Sequence, residues 1–137
     1  NFQVMHLEEL LKTAEIAPMV NQIEFHPGML QEDVVSFCRQ KGICVQASSP
    51  LGNGRILGNE VLAEIAGEKH RTPAQICLRY ALEEGISVIP KTADVRRLAE
   101  NIDIFDFSLT EEERRRIEAI PYCGGLGIDP EEGDRNG

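Results

Sequence analysis

Apolar positions along this chain change their spacing several times, and each change marks an element. Met5, Leu7, Leu10, Leu11 and Ala14 recur at helical spacing and predict a helix over 5–16. The run PMVNQIEF over 18–25 is short and predicts a strand. QEDVVSFCRQK over 31–41 returns to helical spacing, with Gly42 placed as its C-terminal cap. ICVQAS over 43–48 has the apolar lead-in and β-branched content of a buried parallel strand. Between Ser49 and Asn59 stand three glycines and a proline, which predict a loop. Asn59 then caps a helix through Lys69. The next start is the clearest in the chain: Thr72 as N-cap, Pro73 at the first helical position and Gln75 completing a capping box. That helix runs to Glu84 and ends at Gly85. ISVI over 86–89 predicts a third strand, closed by Pro90. Asp94 caps a helix through Ile102, and Thr110 with Glu113 opens another that reaches Ile120. Residues 122–137, rich in Gly, Pro and acids, read as an irregular tail.

Strands alternate with helices throughout, the signature of an α/β fold with parallel strands and crossover helices. No self-similar period of solenoid length stands out. Three strands make a very small sheet or a part of a larger one. A complete eight-strand barrel takes typically ~250 residues, and this chain has 137. An organised segment also begins at once after Asn1, a start that processing, trimming or an incomplete reading frame would each explain.

Composition narrows the class. With 42% hydrophobic and 27% charged residues, the chain reads as soluble and globular. A net charge of −9 argues against a nucleic-acid partner. Much of the acid excess lies late, in Glu111, Glu112, Glu113, Asp129, Glu131, Glu132 and Asp134, and reads as solvated surface. Cys38, Cys44, Cys77 and Cys123 form no CxxC pair and have no histidine at ligand spacing. They read as buried free thiols of a reducing compartment, with no metal site. No apolar run approaches the ~18 residues of a membrane span, so a cytoplasmic location is expected.

Three segments are more specific than local structure needs, and each follows a strand. Parallel sheets and barrels place their sites at that end. In Val20-Asn21-Gln22-Ile23-Glu24-Phe25-His26-Pro27, polar side chains interrupt an apolar strand. They imply either a network of mutually satisfied groups or a ligand site. Ser49-Pro50-Leu51-Gly52-Asn53-Gly54 is either an ordinary turn or a loop whose backbone approaches a phosphate. In the third, Lys91, Thr92 and Arg97 surround the start of a helix, with Glu100 and Asn101 a turn later. Two cations and a hydroxyl there suit a phosphate, and the alternative is a solvated helix face.

Taken in order, NF with Leu7, Leu10 and Leu11, then VNQIEFHP, SPLG and IPKTADVRRLAENIDIFDFSLT resemble the second half of the aldo-keto reductase family. The resemblance runs from Asn1 to about Ile120. It implies a partial (β/α)8 barrel over 1–121, about strands six to eight with their helices. It implies NADP(H) as cofactor in preference to NAD(H), because Lys91 with Arg97 suits a phosphate better than a free hydroxyl. Asn1 and Gln22 resemble the residues that hold the nicotinamide carboxamide. Ser49, Leu51 and Gly52 match the pyrophosphate loop. Lys91, Thr92 and Arg97 match the group around the adenosine 2′-phosphate, and Glu100 and Asn101 match the adenine contacts.

Two departures qualify the resemblance. The family's aromatic residue before the SPLG serine, on which nicotinamide stacks, is replaced by Ser48, which has no stacking face. The family's catalytic tyrosine, lysine, aspartate and histidine belong to its first four strands, and none is matched here. Tyr80 reads as core, His26 belongs to the strand motif, and His6 and His70 read as helix-surface residues. No catalytic residue is therefore assigned. The resemblance implies a small carbonyl substrate in the intact parent. It also raises two partners: the missing N-terminal half, or a second copy covering the open half-barrel.

Overall fold

The computed structural model describes residues 1–125. Ten elements alternate along it. They are α1 (Val4–Thr13), β1 (Val20–Glu24), α2 (Glu32–Lys41), β2 (Cys44–Ser48), a 3₁₀ segment (Gly52–Gly58), α3 (Glu60–Lys69), α4 (Pro73–Glu83), β3 (Ser87–Val88), α5 (Val95–Ile102) and α6 (Glu111–Glu118). The strands form one parallel sheet in the order β1-β2-β3. Ile23 pairs with Ala47, and Ala47 with Val88.

Side-chain chemistry explains the boundaries. Asn59 accepts hydrogen bonds from the N–H groups of Val61 and Leu62 and starts α3. Thr72 with Gln75 and Thr110 with Glu113 form the two capping boxes expected from their spacing. Gly42 ends α2 with φ of +70°, a left-handed residue where a Cβ would be strained. The expected loop after β2 differs in part: Gly52–Gly58 winds into 3₁₀ turns broken at Asn53 and Gly54. The third strand is shorter than its apolar run: Ser87 and Val88 pair with Gln46 and Ala47 of β2, and beyond them the Ile89 N–H makes one long bond to the Ala47 carbonyl at 3.4 Å.

Among the described residues, the helices cover one face of the sheet. Asn21 and Ile23 on β1 and Val45 and Ala47 on β2 are buried under the helices. Ile23, Val45 and Ala47 join Leu7 of α1, Val34 and Cys38 of α2, Ile65 of α3, and Ile76 and Cys77 of α4 in one core cluster. Tyr80 lies in that core, its ring stacked on Phe25 with centroids 6.2 Å apart. The opposite face carries Val20, Gln22, Cys44 and Ser87, all exposed.

That arrangement corrects the thiol expectation in part. Cys38 and Cys77 are buried, whereas Cys44 and Cys123 are exposed. Cys44 has the parity of the uncovered sheet face, which an apolar lead-in cannot reveal. The tail assigned to 122–137 lies outside the described residues beyond Gly125. Its first residues run back over the β1 end, where the Cys123 N–H donates to the Gly28 carbonyl. No described helix is long and apolar enough to cross a membrane. Among the described residues no cluster of three or more His, Cys, Asp or Glu could hold a metal ion.

Candidate functional site

The C-terminal ends of the three strands lie together. The loop after β2, the segment after β3 and the start of α5 enclose a cleft of about 580 Å³. Of the ten residues singled out in the sequence, Ser49, Leu51, Lys91, Thr92, Arg97, Glu100 and Asn101 line it. Leu57 and Ala74 line it as well. No sequence pattern marked these two, because their approach depends on how the 3₁₀ segment and α4 pack.

The charges in the cleft are unusual for this protein. Every other described lysine and arginine has a hydrogen bond, an ion pair or a ring contact. Arg71, for example, pairs with both Asp103 and Asp106. The Lys91 and Arg97 side chains make no hydrogen bond or ion pair with any described residue, although the Arg97 backbone N–H donates to the Asp94 carboxylate. The Arg97 side chain feels only a longer-range attraction to Asp94. In a chain of net charge −9, two cations beside one cleft have no hydrogen-bonded or ion-paired acid among the described residues.

The amide ends of α5 are already engaged. Asp94 caps the helix by accepting from the Arg96 N–H at 2.8 Å, and its carboxylate pairs with the Arg96 side chain at 3.1 Å. These bonds hold the Asp94 carboxyl below its ordinary value. An anion in the cleft would thus be met by side chains rather than by the helix terminus. Thr92 Oγ1 accepts from the Asp94 N–H at 3.0 Å, which fixes the turn between β3 and α5.

The remaining polar groups divide into held and free. Glu100 is held: its Oε1 accepts from Thr72 Oγ1 at 2.7 Å, and its carbonyl accepts from Gln75 Nε2 at 3.1 Å. Asn101 is only 8% exposed, yet its side-chain amide makes no hydrogen bond with a described residue. An unbonded amide at a cleft offers both a donor and an acceptor to an occupant.

The loop after β2 is bent sharply. Ser49, Gly52, Asn53 and Gly54 all have positive φ, +48° at Ser49 and +53° at Gly52. A serine there, directly before a proline, is a strained residue of the kind that concentrates at functional sites. The Gly52 N–H donates to the Ser49 carbonyl and the Gly54 N–H to the Leu51 carbonyl, each at 2.8 Å. Those two amides are spent inside the loop.

Asn1, Gln22 and Gly52 do not line the cleft. The Asn1 amino nitrogen donates to the Gln22 carbonyl at 2.6 Å, so the two residues are adjacent. The Gln22 side chain donates to Gln46 Oε1 at 2.7 Å on the uncovered sheet face. Asn21, the buried neighbour of Gln22, organises this end. Its amide accepts from the Phe2 N–H at 3.3 Å and donates to the Phe2 carbonyl at 2.9 Å. The polar interruption of β1 is thus largely a satisfied network.

Comparison with known proteins accords with this geometry. The model of the Aldo/keto reductase family matches residues 1–121. The glyoxal reductase of Bacillus subtilis is 48% identical over 132 residues, which cover 96% of this chain and 48% of that protein. A crystal structure of a Gox0644 point mutant in complex with NADPH superposes with a TM-score of 0.90 at 39% identity, covering 96% of this chain and 49% of that one. A Bombyx mori aldo-keto reductase in complex with NADP gives 0.82 at 34% identity, over 88% and 43% of the two chains. The chain therefore spans about half the length of the relatives it matches, and its three parallel strands correspond to part of their TIM barrel. By sequence and by fold it belongs to the aldo-keto reductase family, whose members are oxidoreductases.

Proposed function

We propose that the cleft binds the adenosine end of NADP(H), and that this chain is the cofactor-binding C-terminal part of a reductase converting aldehydes or ketones to alcohols. One observation carries the reading: the Lys91 and Arg97 side chains, with no hydrogen bond or ion pair among the described residues, stand beside a cleft that also presents Thr92, Glu100 and Asn101. The donor set fits the group. Two cations and a hydroxyl suit the 2′-phosphate, and the free Asn101 amide suits a heterocycle edge. Ser49, Leu51 and Gly52 would flank the pyrophosphate, and Asn1 and Gln22 would meet the carboxamide. Relatives crystallised with NADPH and with NADP support the cofactor, and the glyoxal reductase relative supports a small carbonyl substrate.

When bound, the dinucleotide supplies the hydride. The residues of this chain bind and orient it. We assign no proton donor to the chain. Residues 1–121 would be the barrel part, 122–137 a tail, and the free thiols fit a reducing compartment such as the cytoplasm. Calorimetry with NADPH and NADH at low and moderate salt tests the reading. Salt-sensitive binding that prefers NADPH is expected. Absent binding, or equal affinity for the two, would refute it. Carbonyl-dependent NADPH oxidation by the chain alone should not exceed a no-protein control.

A second reading rests on α5. Val95, Leu98 and Ile102 lie at helical spacing and are exposed, as is Phe105 beyond them. Such a stripe calls for a cover. The cover would be the N-terminal half of the barrel, or a second copy acting as a self-associating half-barrel module. Light scattering of the chain alone separates the two: a monomer at high concentration argues against self-pairing.

A further inference from the structure

Beneath the loop after β2 lies a histidine that the cleft does not use. His26 follows β1 and is 1% exposed. Its Nδ1 lies 2.9 Å from the Pro27 carbonyl and its Nε2 lies 3.1 Å from Glu24 Oε1. With both ring nitrogens engaged and no room to turn, the imidazole is fixed in place and orientation. Gly52 rests directly upon it. A Cβ built on Gly52 would sit 3.3 Å from His26 Nε2, 3.4 Å from Cε1 and 3.5 Å from Cδ2. All three nearest atoms belong to this one ring.

Gly52 is also where the loop closes on itself. Its N–H donates to the Ser49 carbonyl, and its own carbonyl accepts from Arg55 Nε at 3.4 Å. Arg55 reaches on to the Gly125 carbonyl at 2.9 Å. Gly52 is therefore seated on the ring below and held through its carbonyl by Arg55. The missing side chain at position 52 is required by the ring as well as by the positive φ.

We propose that His26 is a positioning residue for the pyrophosphate of the dinucleotide, acting through Gly52 without touching the ligand. Glu24 fixes the ring, the ring fixes the loop, and the loop sets the distance at which Ser49 and Leu51 meet the phosphate bridge. The proposal rests on the dinucleotide reading above.

The test uses the full chain, with His26→Phe, which keeps a ring but loses both polar contacts, and Gly52→Ala, which crowds the ring from above. Calorimetry compares NADPH with 2′-AMP, which keeps the 2′-phosphate and adenine but lacks the pyrophosphate. NADPH affinity should fall about tenfold in both variants, on the order of one charge-assisted hydrogen bond. Affinity for 2′-AMP should stay within about twofold, well under the energy of such a bond. Equal weakening of both ligands would mean a general structural role and overturn the proposal, as would unchanged NADPH affinity. Amide hydrogen exchange without nucleotide gives an independent arm. The Gly52 amide should exchange faster in His26→Phe while the amides of α4 keep their protection, and unchanged Gly52 protection would overturn the proposal. If the unaltered chain binds neither nucleotide, the dinucleotide reading has failed, and the exchange arm alone decides on His26. If His26→Phe does not fold, His26→Gln, which removes the ring beneath Gly52, carries both arms.

Discussion

Thr72 Oγ1 donates to Glu100 Oε1 at 2.7 Å while accepting from the Gln75 N–H at 3.2 Å. One hydroxyl thus caps α4 and anchors a carboxylate of α5, joining two elements that border the cleft. Thr72→Ala removes the cap, at about 1 kcal/mol, and releases Glu100. Urea unfolding should show that loss, and NADPH affinity should fall with it. Thr72→Ser keeps both bonds and should restore both quantities.

Lys91 and Arg97 contribute little to stability if they serve a ligand, since neither side chain has a hydrogen bond or ion pair to lose among the described residues. Lys91→Ala and Arg97→Ala should leave the unfolding midpoint nearly unchanged. Each should weaken NADPH binding roughly tenfold to a hundredfold, from about 1.5–3 kcal/mol per charged hydrogen bond. NADH, without the 2′-phosphate, should be affected far less. Calorimetry of both nucleotides on each variant makes the comparison.

Glu113 couples stability to pH. Burial pushes its carboxyl up, but the Thr110 N–H and Lys69 Nζ, the latter at 3.0 Å, outweigh burial and hold it below its ordinary value of 4.5. A lowered folded value means stabilisation that is present above that ordinary value and lost as pH falls through the folded value. Chemical unfolding from pH 6 downward should show a shallower acid slope for Glu113→Gln than for the unaltered chain.

The four thiols should fall into two classes. Cys44 and Cys123 are exposed, while Cys38 and Cys77 are buried. Burial pushes the Cys77 thiol up to about 12, so almost no thiolate forms near neutrality. A chromogenic disulfide reagent at pH 8 should titrate two thiols rapidly and the other two only after denaturation. Rapid reaction of Cys77 in the folded chain would contradict the packing of α4.

If the α5 stripe drives self-association, Leu98→Glu should shift the light-scattering mass towards the monomer without altering the helical signal. Leu98 is exposed, so the substitution disturbs no core packing. An unchanged oligomer would place the contact elsewhere.

Local rules set much of this protein before any packing. Asn59, Thr72, Asp94 and Thr110 cap the helices they were expected to cap, because a capping bond joins residues two or three apart. Lys91, Thr92, Arg97, Glu100 and Asn101 were legible as a group because one turn and one short helix carry them all. Tertiary structure decided what lies between distant segments. That Ser49 and Leu51 share a cleft with Arg97 depends on parallel pairing of β2 with β3. That Cys44 is exposed depends on which sheet face the helices cover. That Lys91 and Arg97 are unpaired while Arg71 is not depends on where each acid comes to rest. That Gly52 sits on His26, twenty-six residues away, follows only once β1 and β2 lie side by side. Spacing along a chain encodes hydrogen bonds within a turn, whereas these contacts exist only between elements that the core has brought together.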